Sequence, residues 1–399
     1  MDFKFSENDE QFRREIRRKI AELLPADTRD RHRHIATFGS DAEDQRRWFG
    51  ILDEQGWSVP GWPVAHGGPG WSALQRFIFE DEMYQADAPE FNWMGTHMVG
   101  PVLYTFGSKA QCERFLPPIR RGDHLWAQGF SEPGAGSDLA GLRTNARLEG
   151  DKFILNGQKI WTSGAFCSDW GIILCKTDTR GKPQQSISFL LVDLKSPGVT
   201  IRRIQQLNLE AHLCEVFLEN VEVPADQLVG EMGKGWTYAK FLLDHERTTS
   251  SFIFWNKREL RRAWEIASEL KQDGQPLAEH PDWAMRLAKL EAEVRIHEWS
   301  VLRVLAEETA FCSLSVAASV LKLRGAELQQ SLTELHVQLM GIRALREFDA
   351  EAPERTKGES WPEVIPGRTS RAFMGRAATI YGGTLQIQKN ILAKLALGL

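Results

Sequence analysis

Apolar residues in this chain recur at two different periods, and the switch between them limits the possible folds more than any single motif does. Up to Leu125 the period is helical. Phe12, Ile16 and Ile20 fall at i, i+4 and i+8 behind a capping pair, Ser6 and Asp9, and Pro25 closes that helix. Trp48, Ile51 and Leu52 predict a second helix near Asp41 to Gln55, with Gly56 as its terminator. After a Pro- and Gly-rich loop from Trp57 to Gly70, Ser72 with Gln75 opens another helix, and Ser108 with Gln111 repeats the pattern ahead of Pro117-Pro118. Beyond Leu125 the period becomes that of strands. Arg143 to Ile160 reads as two strands joined at Glu149-Gly150-Asp151, and Trp170–Lys176, Ile187–Leu194 and Glu215–Val223 are further strand-like runs. From Gly235 the 3.6-residue spacing returns over Trp236–Leu270, Trp283–Phe311, Ser315–Leu345, Arg368–Ile380 and Leu385–Leu397. The expectation is an α+β protein of three parts: an α-helical segment 1–125, an all-β segment 126–232 and a helical bundle 233–399.

A chain of 399 residues exceeds a single core, which agrees with several packed units. A net charge of −5 supplies no basic field for nucleic acid, and no apolar run approaches the ~18 residues of a membrane span. The N-terminus M-D-F-K-F-S-E lacks the apolar core of a signal peptide, so a cytoplasmic protein is expected. The five cysteines show no C-x-x-C pairing and read as reduced structural thiols; the ten histidines show no metal-binding spacing, so no metal is expected. Most of the 14 tryptophans read as core.

Between the helical and strand segments lies G-F-S-E-P-G-A-G-S-D-L-A-G, Gly129 to Gly141. Such a density of Gly and Pro suits neither a helix interior nor a central strand. It suits a tight surface turn, or a loop whose backbone N–H groups approach a ligand oxygen. Generic nucleotide fingerprints do not fit: Gly134-Ala135-Gly136 lacks a third glycine at the required spacing, and Gly233-Lys234-Gly235 is no phosphate loop.

The stretch resembles, almost residue for residue, a signature of the acyl-CoA dehydrogenase flavoproteins. The α, β, α order is that family's domain order, so the resemblance covers essentially the whole chain. It implies a helical N-terminal domain, a β-barrel-like middle domain and a C-terminal four-helix-bundle-like domain. It also implies FAD as cofactor and removal of an α-proton from an acyl-CoA thioester while a β-hydride moves to flavin N5.

A base is therefore required. On the helix L-L-D-H-E-R-T-T-S, the helical neighbours of Glu246 are Ala239, Leu242, Leu243, Thr249, Ser250 and Ile253, so Glu246 is the only charge on that face. Burial there would raise its pKa toward neutrality, as a general base needs; a carboxylate paired with a distant arginine would look the same. The resemblance separates the two. Some family members carry the base in a Y-E-G-T loop, which here reads Tyr381-Gly382-Gly383-Thr384, with glycine in the base's place. Members acting on isovaleryl, long-chain and steroid side-chain thioesters carry it in a helical E-R pair, which Glu246-Arg247 matches.

The resemblance also implies that the Gly382 N–H contributes to the oxyanion hole beside Tyr381, and that Asp244, Arg247 and Ser137 line the CoA chain and thioester. Without it, Asp244 and Arg247 are equally ordinary solvated helix charges. Lys159-Ile160-Trp161-Thr162-Ser163-Gly164 resembles the K-x-W-x-[ST] segment whose Trp and hydroxyl face the flavin. Gln128, Phe130 and Ser131 match its pyrimidine-binding strand, and Thr384 and Gln386 match positions near the ribityl-phosphate.

Two departures stand out. The family's Q-x-x-G-G-x-G, given by a neighbouring subunit to FAD, retains only Gln338 and Gly341. Its R-x-x-F-G-K segment is not recognisable near Leu270 to Gln275. The resemblance implies a tetramer, and both departures suit a heterotetramer in which a sister chain completes part of each site, with a homotetramer still open. The implied electron acceptor is an electron-transfer flavoprotein, and the implied setting is fatty acid or steroid side-chain β-oxidation. Two other readings stay open on the sequence: an acyl-CoA oxidase on the same scaffold, and a non-catalytic partner subunit.

Overall fold

The computed structural model describes residues 4–34, 41–90, 93–178, 182–245, 251–306, 314–346 and 362–399, without the side chains of 243–245 and 314–315. The chain divides into two compact units, each assembled from separate segments.

One unit is helical, built from residues 1–38, 72–89 and 247–399. It contains α1 (Glu7–Leu23), α2 (Ala26–His34), α4 (Ala73–Gln85), α8 (Ile253–Glu269), α9 (Pro281–Ala306), α10 (Leu314–Met340), α11 (Arg368–Gly375) and α12 (Leu385–Ala396). Reciprocal capping boxes, Ser6 with Asp9 and Ser72 with Gln75, start α1 and α4, satisfying amides that a helix start leaves without partners. Phe77 of α4 joins Ile253, Val294, Val301, Leu321, Leu328 and Leu332 in one core. Several of the charges buried in this unit are compensated. Arg13 and Lys257 both reach Asp81, at 3.0 and 2.7 Å, and Glu259 is ringed by Arg258, Arg368 and Arg371 at 3.2, 3.4 and 3.3 Å. Burial alone would raise the Glu259 carboxyl, but those arginines hold it far below the usual carboxylate range.

The other unit is built on a sheet and covers residues 39–71 and 90–246. Its helices are α3 (Ala42–Glu54), α5 (Gly100–Phe106), α6 (Lys109–Arg121) and α7 (Gly235–His245). Its seven strands are β1 (Trp126–Gly129), β2 (Asn145–Glu149), β3 (Lys152–Lys159), β4 (Trp170–Lys176), β5 (Ile187–Asp193), β6 (Val199–Ile204) and β7 (Leu213–Pro224). They form one curled sheet in the order β1-β4-β2-β3-β7-β6, with β5 added to β4. β4 and β5 are buried on both faces up to their last residues, hence their apolar runs Ile172-Ile173-Leu174-Cys175 and Phe189-Leu190-Leu191-Val192. One face of the sheet packs on Val99, Leu103, Phe115, Ile119 and Leu242 from α5–α7 and the turn before α5.

The helical, sheet and helical order expected from the hydrophobic period is therefore present, and the element ends show where local rules yield. α6 runs on through Pro117 and Pro118 to Arg121: each proline removes an N–H to the i−4 carbonyl, and burial of Phe115, Leu116 and Ile119 offsets that cost. β6 was not anticipated, since its residues are exposed or half-buried throughout; β1, with only four residues, is the strand on which the resemblance placed Gln128. Among the described tryptophans Trp48, Trp62, Trp126, Trp170 and Trp255 are buried, and Trp236, Trp264 and Trp283 pack partly buried against the core, since a side chain this large seldom finds complete cover. Cys112, Cys167, Cys175 and Cys214 form no disulfide, and Cys312 lies outside the described residues. Among the described residues no helix is long and apolar enough to cross a membrane, and no His, Cys, Asp and Glu group is placed to hold a metal ion.

Candidate active site

The expected site residues that the structure describes fall into two sets, one per unit. In the sheet unit, β1 delivers Gln128 half-buried and ends at Gly129, where a Cβ would stand 2.4 Å from Ile173 Cδ1. Phe130 is buried and Ser131 half-buried; the Ser131 carbonyl accepts the Ile160 N–H at 3.0 Å, so the chain after β1 lies against the chain leaving β3. Glu132 and Ala135 then exchange backbone hydrogen bonds of 2.9 and 3.0 Å across Pro133-Gly134. At Gly134 and Gly136 an added Cβ would meet nothing within 4 Å, and neither has a positive φ. Neither packing nor backbone conformation demands glycine there, which leaves open space beside bare backbone. Ser137 is exposed on that loop.

A buried ion pair fixes this loop. Lys159, with no exposed surface, donates from Nζ to the Phe130 carbonyl at 3.2 Å and to Glu132 Oε1 at 2.7 Å. The Glu132 carboxylate also accepts the N–H groups of Arg143 at 2.6 Å and Thr144 at 2.9 Å, at the far end of the loop. Burial raises the Glu132 carboxyl, yet Lys159 and those donors bring it below its ordinary value; burial lowers the Lys159 ammonium, with Glu132 opposing.

Trp161 follows two residues later with φ 62°, a left-handed conformation that costs a non-glycine residue about 1–3 kcal/mol. The turn is held from behind: Thr162 and Cys214 exchange backbone bonds of 3.0 and 3.1 Å, and the Gly164 N–H donates to His212 O at 3.0 Å. Its product is an indole that is 56% exposed, with half-buried Ser163 beside it. A core tryptophan would not sit so. Asp244 lies in α7 with its side chain undescribed, and Glu246 and Arg247 lie outside the described residues.

In the helical unit, Tyr381 precedes Gly382 at φ 62° and Gly383 at φ 87°, two successive left-handed residues that only glycine adopts readily. Thr384 then caps α12, its hydroxyl accepting the Ile387 N–H at 3.2 Å, and Gln386 is exposed in the first turn. Gln338, near the end of α10, accepts a hydrogen bond from Arg286; Gly341 follows with φ 55° and nothing within 4 Å of a Cβ.

Family models for the acyl-CoA dehydrogenase N-terminal, middle and C-terminal domains match residues 6–123, 127–221 and 233–397. Acyl-CoA dehydrogenase IpdE1 of Mycobacterium tuberculosis is 37% identical over 90% of this chain and 88% of its own length. The chain belongs to the acyl-CoA dehydrogenase family. Among solved structures, the Tcur3481–Tcur3483 steroid ACAD matches with a TM-score of 0.85 at 28% identity, over 100% of this chain and 99% of that one. The ChsE4–ChsE5 complex from Mycobacterium tuberculosis matches with a TM-score of 0.83 at 28% identity over the same shares. The three-domain fold of the family is thus the fold of this chain, an enzyme of the acyl-CoA dehydrogenase class.

The ion-paired function of Lys159 escaped the sequence reading, although Lys159 opens the K-x-W-x-[ST] segment. Lys159 ends a β3 whose inward-facing side chains are otherwise Phe153 and Leu155, and a charge continuing that alternation was a usable signal. Phe252 was missed as well: it takes φ 57° at the start of α8, and no sequence pattern marks a phenylalanine for that conformation.

Proposed function

We propose that this chain is a catalytic, FAD-dependent acyl-CoA dehydrogenase that converts an acyl-CoA thioester to its trans-2-enoyl-CoA, with Glu246 as the α-proton base. The observation that carries this is Gly382. Its left-handed backbone, exposed between half-buried Tyr381 and Thr384, offers an N–H to a thioester oxygen, and it carries no carboxylate. The base must then come from elsewhere, and Glu246-Arg247 matches the family's alternative position.

FAD is the cofactor of this family, and the residues present fit it. The exposed Trp161 indole with Ser163 supplies a wall for an aromatic ring, while Gln128, Phe130 and Ser131 offer hydrogen-bonding backbone and side chains beside it. Thr384 and Gln386 stand at the N-terminus of the 12-residue α12, which favours phosphate. When bound, the flavin accepts the β-hydride. The protein's own part is to take the α-proton on a Glu246 carboxylate oxygen, to donate from Gly382 N–H to the thioester carbonyl, and to hold the CoA chain along Ser137, Asp244, Arg247 and Tyr381.

Relatives named as steroid ACAD support a CoA thioester of a steroid side chain as substrate class, and those solved as two-chain complexes support a heterotetramer. Only Gln338 and Gly341 remain of the motif that serves a neighbour's FAD, and Ile342 and Leu345 beside them stand 77% and 81% exposed. A sister chain covering that segment would complete the assembly. Electrons then pass to an electron-transfer flavoprotein.

The test is anaerobic reduction of the bound flavin by a panel of fatty acyl and steroid side-chain thioesters. Glu246→Gln keeps the side chain's shape and removes the base, so it is expected to fold, retain FAD and lose at least ~100-fold in the reduction rate. Near-parental reduction by the variant would reject Glu246.

A further inference from the structure

One face of α10 does more than fill the core. Lys322, Gly325 and Gln329 lie at i, i+3 and i+7 on that face, all buried. Lys322, 1% exposed, donates from Nζ to the Ala378 carbonyl at 3.2 Å, three residues before Tyr381. The same ammonium stands 4.3 Å from the ring centroid of Phe252 and 4.8 Å from that of Tyr381, and those rings meet edge to face at 5.9 Å. Such cation–π contacts strengthen when water is excluded, as it is here. One turn on, Gly325 lets Ser251 lie directly against the helix: a Cβ there would stand 1.9 Å from the Ser251 carbonyl oxygen. That oxygen also accepts His297 Nε2–H at 2.8 Å, and the Gly325 carbonyl accepts Asn256 Nδ2 at 3.0 Å. Gln329 closes the stripe by accepting the Tyr381 hydroxyl at 3.4 Å.

Two segments that the dehydrogenation requires thus share one anchor. Ser251 and Phe252 follow Glu246 by five and six residues, and Ala378 to Tyr381 lead directly into Gly382. Phe252 holds its unfavourable φ of 57° with its ring against both Lys322 and Tyr381, so the cation joins the two segments through their aromatic side chains. We propose that Lys322 is a positioning residue for the reaction, clamping the backbone that carries the thioester-polarising N–H to the backbone that emerges from the base. The proposal rests on the function given above. Lys322 itself touches neither substrate nor flavin in it.

The test uses the full FAD-loaded protein, with its sister chain if one is needed for loading, and the variants Lys322→Met, Lys322→Arg and Phe252→Leu. Two quantities are read: the split between kcat and KM on the best thioester, and the infrared stretch of a 13C-labelled thioester carbonyl in bound enoyl-CoA product. A loosened N–H donor is expected to lower kcat by about tenfold or more in Lys322→Met, with KM changed less than about threefold. The carbonyl stretch is expected to move toward its free-solution value, Lys322→Arg is expected to recover most of both readings, and Phe252→Leu is expected to fall between. A folded, flavin-loaded Lys322→Met with kcat within about twofold of the parent and an unshifted carbonyl overturns the proposal. Should Lys322→Met fail to fold, Phe252→Leu decides by the same two readings. If the parent protein oxidises no thioester at all, the function itself is wrong. The carbonyl shift on bound enoyl-CoA still reads the clamp in that case.

Discussion

Asp169 shows how much a single side chain at the sheet's rim holds. Its carboxylate accepts Arg46 at 2.8 Å, Lys195 at 2.8 Å and the Leu125 N–H at 2.9 Å, joining α3, the turn after β5 and the start of β1. Burial raises its pKa, but the hydrogen bonds from Lys195, Arg46 and Leu125 and the charge of Arg46 outweigh that and bring it to about 2. A folded value below the ordinary 3.8 means the stabilisation is complete above about pH 4 and is lost as the pH falls toward 2. Asp169→Asn is therefore expected to lower stability at pH 7 by roughly 1–3 kcal/mol and to flatten the acid limb. Denaturant titrations of both proteins at pH 7, 4 and 3 measure it; a variant that loses stability with acid as steeply as the parent contradicts the assignment. Trp161 is the other instructive residue. Its motif, with an indole turned away from the core, was readable as a resemblance, whereas its left-handed backbone was not, since tryptophan carries no mark of a positive φ. The proposed base Glu246 and its neighbour Arg247 rest on sequence alone, because both lie outside the described residues.

Among elements, β3 and the loop that follows β1 are held by one buried pair, and that pair can be tested by subtraction. Removing one partner of a buried ion pair strands the other, which costs about 3–5 kcal/mol, whereas an apolar pair of similar volume can be nearly neutral. Lys159→Met alone and Glu132→Leu alone are each expected to destabilise by that amount, with the double variant recovering much of the loss. Urea unfolding midpoints measure it, and strictly additive losses would show that the two side chains act separately. Elements with strong local grammar were legible in the sequence: the capping boxes at Ser6, Ser72 and Ser108, the β2–β3 hairpin at Gly150, and the doubly buried β4 and β5. β6 was not, because its alternation of Ile with Thr and Arg satisfies a loop as well as an edge strand. The stripe on α10 was invisible for a different reason. Lys322, Gly325 and Gln329 have the right spacing, but their partners at Ser251, Phe252 and Ala378 are chosen by tertiary packing, which periodicity does not encode.

For the molecule as a whole, the eroded motif at Gln338 and Gly341 leads to a statement about mass and cofactor content. Expressed with a sister chain, this protein is expected to form a four-chain assembly that holds more FAD per chain than it does alone. Native mass spectrometry together with flavin absorbance measures both, and full flavin loading of a lone monomer would exclude shared sites. The discontinuous build of the helical unit has a further consequence, and it bears on synthesis. About 230 residues separate the end of α4 from the start of α10. At ~5–20 residues per second a ribosome needs roughly ten to fifty seconds to produce them. For about the first 170 of those residues Phe77, which packs in the finished protein with residues of α8, α9 and α10, precedes all those partners, the first of which is Ile253 of α8. The newborn chain thus carries an apolar helix face that only its own final third can cover, which makes slow translation downstream of α4 a period of exposure to chaperones and to aggregation.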